Sequence, residues 1–460
     1  MQAILSQKLK KLAKSLSKPL YIVGGFTRDF LAGLTSAHQD IDLCSPVSLD
    51  EFLSVSQDCG FTPLAVYKNT GTVKLTSGDG EDYEFTCFRS DKYIRGEHTP
   101  CEIFFTQDIS LDAKRRDFTV NAIYYDIAAD KFEDPLGGID DLKAKRLKTV
   151  DNPKKVFGED GLRLLRLARQ AGQTGFTPTK ECIDGAKENS ALILDIVPER
   201  IYAELCACLL ADQKYGNRDG HYEALKILEE TEVLFRLFPA LLAGKGFAQR
   251  PDFHDHDVLE HSLRAVRYAH PSVRLAALFH DIAKPLCSLR DGNSHEHPND
   301  GEQITMSALN GLKAPKKVVE ETAALVKWHM YDFDGKTKEN KLRRFFVEHA
   351  PLLEKLLLIK QADYSACKDD LSPCPTSVKW KAVFSKMQAE NAPLFVKDLA
   401  VKGNELAEWG IPKKEISKYL KKLLLYAVNS PQDNEKKRLQ KICLAFYKED
   451  LKKELSQRDD

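Results

Sequence analysis

Two glycines and an arginine near the N-terminus have the spacing of a phosphate-binding turn. Gly24 and Gly25 follow the apolar run 20–23 and precede Arg28. Glycines between a strand and a helix let backbone N–H groups approach a polyphosphate closely, and an arginine on the first helical turn adds a charge-assisted contact. The pattern therefore predicts a strand, a tight turn and a helix that together bind phosphate groups.

Three carboxylates follow the glycine turn. Asp40 and Asp42 flank Ile41, and a strand would place both on one face with Ile41 directed to the core. Two carboxylates on a rigid strand suit a pair of Mg²⁺ ions that clamp a triphosphate and a hydroxyl for in-line displacement. Glu84 has the right alternation on the next predicted strand to supply a third carboxylate. Each motif alone is common in structural turns, whereas their order along the chain is specific for catalysis.

A second charged segment allows two interpretations. Residues 112–122 contain Arg115, Arg116, Asp117 and Asn121 immediately before an apolar run. They could form a charged helix cap that leads into a strand. Alternatively, Arg115 or Arg116 binds a phosphate while Asp117 and Asn121 fix a ribose hydroxyl.

An arginine stripe marks the helix that follows. Arg163, Arg166 and Arg169 span about 120° of one helical face, leucines occupy the other, and Asp160 lies at the N-terminal end. Residues 142–170 hold nine basic against three acidic residues. Such a stripe is commonly a solvated face. Here Asp160 and Arg163, one turn apart, can also present an acceptor and donors together, as the pairing edge of a base requires.

Histidines concentrate in residues 254–297. The adjacent pair His280 and Asp281 resembles the signature of HD-type metal phosphohydrolases, in which an imidazole and a neighbouring carboxylate bind a divalent ion. His261 is the expected first histidine, Asp363 the last carboxylate, and His297 an additional ligand. The pattern predicts an HD fold. Whether its metal centre is active stays open, because such domains can keep the fold and lose the chemistry.

Composition sets the frame for these motifs. The chain has 460 residues, 43% of them hydrophobic, and 68 basic residues balance 68 acidic ones. This length suggests about three or four domains of roughly 100–200 residues. No apolar run approaches the roughly 18 residues of a membrane span. Eleven cysteines without a C-x-x-C pair indicate reduced thiols and a cytoplasmic protein. Zero net charge argues mildly against a general affinity for nucleic acid.

Secondary-structure signals change once along the chain. Strand and helix patterns alternate up to about residue 140, and helical periodicity dominates afterwards. We predict an α+β head with a small mixed sheet, followed by an all-α neck, body and tail. The boundaries are expected at 1–140 for the catalytic head, 141–245 for the base-binding and RNA-binding neck, 246–375 for the HD-type domain and 376–460 for a tail that could contact RNA.

As a set, these motifs resemble those of the class II tRNA nucleotidyltransferases, which share a superfamily with bacterial poly(A) polymerases. The resemblance covers about residues 20–240 and is carried by the order G-G-x-x-R-D, D-x-D, R-R-D-F-T-x-N-A, D-P-x-G-G, E-D-x-x-R-x-x-R-x-x-R and P-E-R-I. It implies addition of C, C and A to tRNA 3′ ends from CTP and ATP without a nucleic-acid template.

The resemblance also implies roles for individual residues. Asp40 and Asp42 would hold Mg²⁺, and Gly25 and Arg28 would contact the triphosphate. The remaining roles concern the sugar and the base: Arg115, Arg116 and Asp117 surround the ribose and phosphates, Asp160 and Arg163 pair with the incoming base, and Arg166 and Arg169 support the nucleotide site.

Several alternatives stay open. Residues 89–106 correspond to the family's mobile loop, which enzymes that add only CC shorten, so its presence favours CCA addition or A addition. Poly(A) synthesis is a further alternative, although residues 47–65 lack the basic-aromatic run that helps mark poly(A) polymerases. The chain could instead act chiefly as an HD phosphohydrolase on tRNA 3′ ends. A non-catalytic RNA-binding protein would have no need of the aspartate pair.

Overall fold

The computed structural model describes residues 1, 4–35, 41–78, 80–93 and 100–456. The chain divides into two compact units, Met1–Gly246 with Ser307–Lys316, and Phe247–Met306 with Lys317–Asp460. The predicted metal ligand Asp40 lies outside the described residues. So do residues 94–99 of the predicted mobile loop.

The first unit is built on a seven-stranded sheet. Its strand order is β3-β4-β5-β2-β1-β8-β9, and β2 with β5 is its one parallel pair among the described residues. Two smaller ladders, β6 with β7 and β10 with β11, stand apart from this sheet. The strands are β1 (Tyr21–Val23), β2 (Ile41–Ser45), β3 (Thr62–Tyr67), β4 (Thr72–Thr76), β5 (Asp82–Cys87), β6 (Arg89–Lys92), β7 (Glu102–Phe105), β8 (Tyr124–Asp126), β9 (Lys131–Glu133), β10 (Arg146–Leu147) and β11 (Thr177–Pro178).

Helices surround the sheet and form the rest of this unit. In chain order they are α1 (Gln7–Ser15), α2 (Gly25–Ala32), α3 (Leu49–Asp58), α4 (Ile109–Lys114), α5 (Gly138–Lys143), α6 (Pro153–Glu159), α7 (Leu162–Thr174), α8 (Lys180–Glu188), α9 (Pro198–Leu209), α10 (Ala211–Tyr215), α11 (Gly220–Glu230), α12 (Val233–Leu237) and α13 (Pro239–Leu242).

The second unit has no strand among its described residues. Its helices, two of which include residues of the segment 307–316, are α14 (Val258–Tyr268), α15 (Arg274–Phe279), α16 (Lys284–Asp291), α17 (His297–Gly311), α18 (Lys316–Trp328), α19 (Glu339–Glu348), α20 (Leu353–Lys368), α21 (Pro375–Ala389), α22 (Gly403–Glu408), α23 (Ile416–Ala427) and α24 (Lys436–Ser456). The predicted α+β region followed by an all-helical region is confirmed. Only the two-residue ladder of β10 with β11 departs from it, and strands that short leave no detectable period in a sequence.

Strand alternation separates the core from the functional face of the sheet. Leu43 of β2, Val73 of β4 and Phe85 of β5 are buried and belong to one apolar cluster, which also holds Leu9 of α1 and Phe52 of α3. The intervening residues of these strands project from the opposite face, because successive side chains point to opposite sides of a sheet. This face carries the carboxylates described below.

Two further findings concern the chain as a whole. No described helix combines the length and the apolar character that crossing a bilayer would require. All eleven cysteines are free thiols, and eight of them are buried.

Candidate functional site

Two of the predicted catalytic carboxylates stand side by side. Asp42 of β2 is the direct register partner of Glu84 of β5, so both side chains project from the same face of the sheet. Both residues are exposed, and Lys74 Nζ on the adjacent strand lies 3.5 Å from Glu84 Oε2. Their donors are all oxygens, the ligand type that Mg²⁺ prefers.

The glycine turn is fitted to the carboxylates. Gly24 has φ of 83°, and a Cβ atom there would lie 3.0 Å from Asp42 Oδ2, so only glycine fits without strain. A Cβ on Gly25 would meet only Arg28 Nη2, at 3.6 Å. Gly24 is therefore the constrained residue, while Gly25 begins α2, whose N-terminus has no side-chain cap.

Arg28 is the centre of a buried hydrogen-bond network. Its guanidinium donates to Asp29 Oδ1 at 2.6 and 2.9 Å, to Asn121 Oδ1 at 2.8 Å and to Gln170 Oε1 at 3.1 Å. Tyr215 of α10 joins this network through the hydroxyl and Asp29. The network holds Arg28 and Asn121 in fixed positions at the cleft wall, and it links α2 to α7.

A buried aspartate orients the predicted phosphate-binding arginines. Asp112 of α4 is fully buried, and its two oxygens accept from Arg115 Nε at 2.7 Å and from Arg116 Nη2 at 3.0 Å. Tyr124 donates to the same carboxylate at 2.7 Å. Burial alone would raise the pKa of Asp112, but the guanidinium groups and the hydroxyl hold it well below its ordinary value. Asp112 is therefore an anion at all ordinary pH values.

Asp117 follows Arg116 in the chain and interacts with Asn121 and with Arg166 of the arginine stripe. It accepts from its neighbour Asn121 Nδ2 at 2.8 Å, and Arg166 Nη1 lies 3.9 Å from its second oxygen. Burial favours its protonated form, but Arg166 and Asn121 outweigh burial and lower its pKa. The carboxylate and the amide thus lie together, as a ribose-binding pair requires.

Arg163 differs from the solvated stripe that its spacing suggests. Only 3% of the residue is exposed, and its Nη atoms donate to the backbone carbonyls of Val156 at 2.9 Å and Arg115 at 2.7 Å. Its Nε lies 4.0 Å from Asp160 Oδ2, and its guanidinium lies over the ring of Tyr93. Arg163 is thus buried with backbone carbonyls as its hydrogen-bond partners. A sequence pattern does not reveal such partners.

Arg166 and Arg169 share one acidic partner. Glu204 of α9 lies 3.5 Å from Arg166 Nε and 2.6 Å from Arg169 Nε. The side chain of Arg166 is 36% exposed and that of Arg169 is 22% exposed. These two arginines therefore face the solvent side of the site more than Arg163 does.

All of the predicted head residues that the structure describes line one cleft of about 870 Å³. Ten cationic and six anionic side chains line it, so the cleft is basic although the chain as a whole is neutral. The lining also contains Gly24 of the predicted glycine turn. Further lining residues were not singled out by the sequence as site residues: Asp29, Lys74, Arg89, Asp91, Tyr93, Gln170, Arg200 and Lys214. Of these, Gln170 had a detectable signal, since it follows Arg163 by seven residues on the same helical face.

The second unit gathers the predicted HD residues. His261 of α14 and Asp363 of α20 meet His280 and Asp281, which directly follow α15. The Nε2 atom of His261 lies 3.0 Å from that of His280 and 3.1 Å from Asp363 Oδ1. His297, at the start of α17, lies 3.2 Å from Asp281 Oδ1 through its Nε2. The donor atoms of His261, His280 and Asp363 all lie within 4.8 Å of one another, close enough to bind one metal ion.

The sequence interpretation missed several residues around this cluster, among them His254 and Cys367, whose donor atoms lie within 4.8 Å of one another and of His261. His329, directly after α18, places its Nε2 3.7 Å from Asp281 Oδ1, and Lys284 Nζ lies 2.6 Å from Asp281 Oδ2. His329 stands alone in an apolar helical stretch, so no spacing marked it. Lys284 follows Asp281 by three residues. This is the spacing of an ion pair on one helical face, and it could have identified Lys284 from the sequence.

The chain matches two family models. Residues 20–148 match the poly(A) polymerase head domain, and residues 258–366 match the HD domain. An A-adding tRNA nucleotidyltransferase of Deinococcus radiodurans is 30% identical over 364 residues, which cover 75% of this chain and 76% of that protein. A CCA-adding enzyme of Lactobacillus helveticus is 34% identical over 216 residues, which cover 46% of this chain and 50% of that enzyme. The chain thus spans about half the length of the CCA-adding enzymes that it matches.

A solved structure has the same fold. The CCA-adding enzyme of Bacillus stearothermophilus in complex with CTP aligns with a TM-score of 0.68 at 23% identity, covering 98% of this chain and 100% of that one. The fold therefore combines a nucleotidyltransferase head with an HD domain in one chain. The chain belongs to the tRNA nucleotidyltransferase family.

The buried Asp112 gives a stability prediction. Asp112→Asn leaves two guanidinium groups without their shared anion, so we expect the free energy of unfolding to fall by about 3–5 kcal/mol at neutral pH. Because the folded-state pKa is lowered, this stabilisation is complete above the unfolded pKa of about 3.9 and declines as the pH falls below it. Urea unfolding of both proteins at neutral and acid pH measures the difference.

The matched control is Asp140→Asn, an exposed aspartate that lies 3.8 Å from Lys143 Nζ. Its effect should stay within about 0.5 kcal/mol. Equal losses for the two variants, or an Asp112 effect that is unchanged in acid, would contradict the role of Asp112.

Proposed function

We propose that the chain is a cytoplasmic, Mg²⁺-dependent enzyme that adds CCA to the 3′ end of tRNA, using CTP and ATP without a template. The observation that carries this proposal is the register pairing of Asp42 with Glu84 in a cleft with ten cationic side chains. The 3′-hydroxyl oxygen forms a bond to the α-phosphorus, the bond to the β-phosphate breaks, and pyrophosphate leaves. The hydroxyl proton passes to solvent.

The carboxylates suit the metal that this reaction needs. Asp40, Asp42 and Glu84 would hold Mg²⁺, which supplies Lewis-acid stabilisation of charge on the oxygens around phosphorus. Because Gly24 has no side chain, its backbone can lie close to the Asp42 carboxylate without obstructing the proposed metal site. The amide groups at the N-terminus of α2 then face the triphosphate, where the helix dipole favours negative charge.

The proposal assigns the cationic wall to the phosphates and the sugar. Arg115 and Arg116 bind phosphate oxygens, with their orientation fixed by Asp112. Asp117 and Asn121 bind the ribose, while Arg28 orients Asn121. Arg166 and Arg169, tied to Glu204, neutralise the remaining charge at the open side of the cleft.

Selection of the base is assigned to Asp160 and Arg163. Three bonds, to Val156, Glu159 and Arg115, occupy three of the five N–H groups of Arg163. These bonds fix the plane of the guanidinium, and within the described part of the chain two N–H groups remain for an incoming base. Cytosine and adenine share an amino donor beside a ring-nitrogen acceptor, which complements one carboxylate oxygen and one arginine N–H.

Product sizing tests the proposed activity. The full chain is incubated with tRNA that lacks the last three, the last two or the last nucleotide, with one labelled nucleotide at a time. We expect C on the first two substrates and A on the third. Addition of A alone would instead indicate an A-adding enzyme. This is the main alternative to CCA addition, because the A-adding protein of Deinococcus radiodurans matches three quarters of the chain. Long A tails on unrelated RNA would contradict tRNA-specific addition.

A substitution tests the base-reading role. Arg163→Ala should reduce the preference for CTP and ATP over UTP and GTP by about 10-fold or more, because it breaks the two-point contact that Arg163 and Asp160 make with the base, and such a contact contributes roughly 1–3 kcal/mol of discrimination. Competition assays with mixed nucleotides measure this ratio. The control is Arg236→Ala, a surface arginine that pairs with Glu232 outside the cleft. Unchanged selectivity in Arg163→Ala would contradict the assignment.

A second activity is proposed for the HD domain. The converging donors of His261, His280, Asp281 and Asp363 favour a divalent metal and hydrolysis of phosphate esters at tRNA 3′ ends. In that reaction water oxygen bonds to phosphorus, the ester P–O bond breaks, and the alcohol leaves with a proton. The ammonium group of Lys284 beside Asp281 favours an anionic substrate.

A further inference from the structure

Gln170 is a buried side chain of the cleft wall that the proposed reaction does not use. It lies on α7, only 4% of the residue is exposed, and it lines the same cleft as the predicted head residues. A buried amide has an oxygen that needs a donor and a nitrogen that needs an acceptor, so its neighbours determine which way it faces. The contacts of Gln170 therefore show which groups it holds in place.

The amide oxygen of Gln170 faces two donors. Arg28 Nη1 donates to Gln170 Oε1 at 3.1 Å, and Asn121 Nδ2 donates to the same oxygen at 3.0 Å. Because a guanidinium has only donors, the oxygen has to face Arg28, and the amide nitrogen then faces the other way. This nitrogen donates to Asp117 Oδ2 at 3.4 Å. One side chain thus links Arg28 and Asn121 to Asp117.

Within the described part of the chain, hydrogen bonds occupy most of the polar atoms of the two residues assigned to the ribose. The two N–H groups of Asn121 Nδ2 donate to Gln170 Oε1 and, at 2.8 Å, to Asp117 Oδ1. The backbone N–H of Phe118 also donates to Asp117 Oδ1, at 2.8 Å. The contacts of Asp117 Oδ2 are longer, at 3.4 Å to Gln170 and 3.9 Å to Arg166. Asp117 Oδ2 is therefore the oxygen of this carboxylate with capacity left for a ligand hydroxyl.

We propose that Gln170 is the positioning residue for sugar selection, because its amide holds Asp117 Oδ2 as the acceptor for the 2′-hydroxyl of an incoming ribonucleotide. This inference deepens the ribose role assigned above and rests on it. The 2′-hydroxyl is the one group that separates a ribonucleotide from a deoxynucleotide. A 2′-deoxynucleotide has no donor at that position, so the carboxylate oxygen would lose water without gaining a partner.

Calorimetric titration of the full chain with CTP, 2′-deoxy-CTP and 3′-deoxy-CTP tests the proposal. Mg²⁺ is present and RNA is left out, so that no nucleotide is incorporated. For the unmodified chain we expect 2′-deoxy-CTP to bind about 10-fold more weakly than CTP, because a hydrogen bond to a charged acceptor is lost. We expect 3′-deoxy-CTP, which keeps the 2′-hydroxyl, to bind more tightly than 2′-deoxy-CTP.

Gln170→Met removes the amide and keeps a side chain of similar length. The ratio of the dissociation constants of 2′-deoxy-CTP and CTP should then fall to about 2 or less, because nothing holds Asp117 Oδ2 toward the sugar. The matched control is Gln173→Met on the same helix. Gln173 is 7% exposed and accepts from Arg169 Nη1 at 3.3 Å, but it does not line the cleft, so this variant should keep the ratio of the unmodified chain.

Each other outcome overturns a stated part. A ratio near one in the unmodified chain, or weaker binding of 3′-deoxy-CTP than of 2′-deoxy-CTP, overturns the assignment of Asp117 to the 2′-hydroxyl. Equal weakening of both nucleotides in Gln170→Met, with the ratio unchanged, shows a structural role only and overturns the role of Gln170. If the ratios change as expected but product sizing shows no nucleotide addition, the proposed function fails and the sugar role stands.

A second variant covers the case in which circular dichroism shows that Gln170→Met does not fold. Gln170→Glu keeps an acceptor for Arg28 and Asn121, which protects the fold. At pH 8 its ionised carboxylate, stabilised by Arg28, presents an acceptor to Asp117 where the amide presented a donor. The ratio should fall as it does for methionine, and a ratio equal to that of the unmodified chain overturns the proposal.

Discussion

The parallel pairing of β2 with β5 is the constraint on which the carboxylate-bearing face of the sheet depends. It aligns Asp42 with Glu84 and, one residue further along, Leu43 with Phe85. The two apolar side chains are buried in the core, so the register is fixed by hydrophobic burial while the carboxylates follow by alternation. A slip of one residue in one strand would direct a carboxylate into the apolar cluster, at a cost of several kcal/mol. The core therefore determines the position of the carboxylates.

The basic wall of the cleft depends on buried acceptors. A cluster of arginines repels itself, and each guanidinium needs a partner to keep one orientation before a nucleotide arrives. Asp112 orients Arg115 and Arg116, Glu204 holds Arg166 and Arg169, and backbone carbonyls hold Arg163. Preorganised donors of this kind are more effective than mobile ones, because they need no reordering when charge develops. Neutral overall charge is thus compatible with a strongly basic site.

The sequence predicted the parts of the fold and site that local patterns encode. Three such patterns are visible in the sequence: glycine next to a strand, carboxylates at alternating positions and an arginine at every third position. The structure brings Asp42, Glu84 and Arg163 from these patterns to one cleft. Partners distant in sequence were not predictable in this way. Tyr215 meets Asp29 across 186 positions and Glu204 meets Arg169 across 35, and no local period connects them. The burial of Arg163 and the position of His329 likewise arise from tertiary packing.

The two proposed metal sites have different donor chemistry. The head offers carboxylates at an exposed strand face, which suits a hydrated Mg²⁺ that arrives with a triphosphate. The HD cluster offers buried imidazoles with fixed tautomers, which suits a resident transition metal. One polypeptide thus contains donor sets for two kinds of divalent ion, and substitutions in one set can be used to study the other.

The most direct measurement of the central claim is single-turnover incorporation of CTP by Asp42→Asn, together with CTP binding by the same variant. Loss of one metal-binding carboxylate removes several kcal/mol of transition-state stabilisation, so we predict a rate lower by about 10³-fold or more with the fold intact and CTP still bound. Asp82→Asn, an exposed change on β5 outside the cleft, should retain the normal rate. Near-normal incorporation by Asp42→Asn would contradict the proposal that the β2–β5 pairing builds the catalytic site.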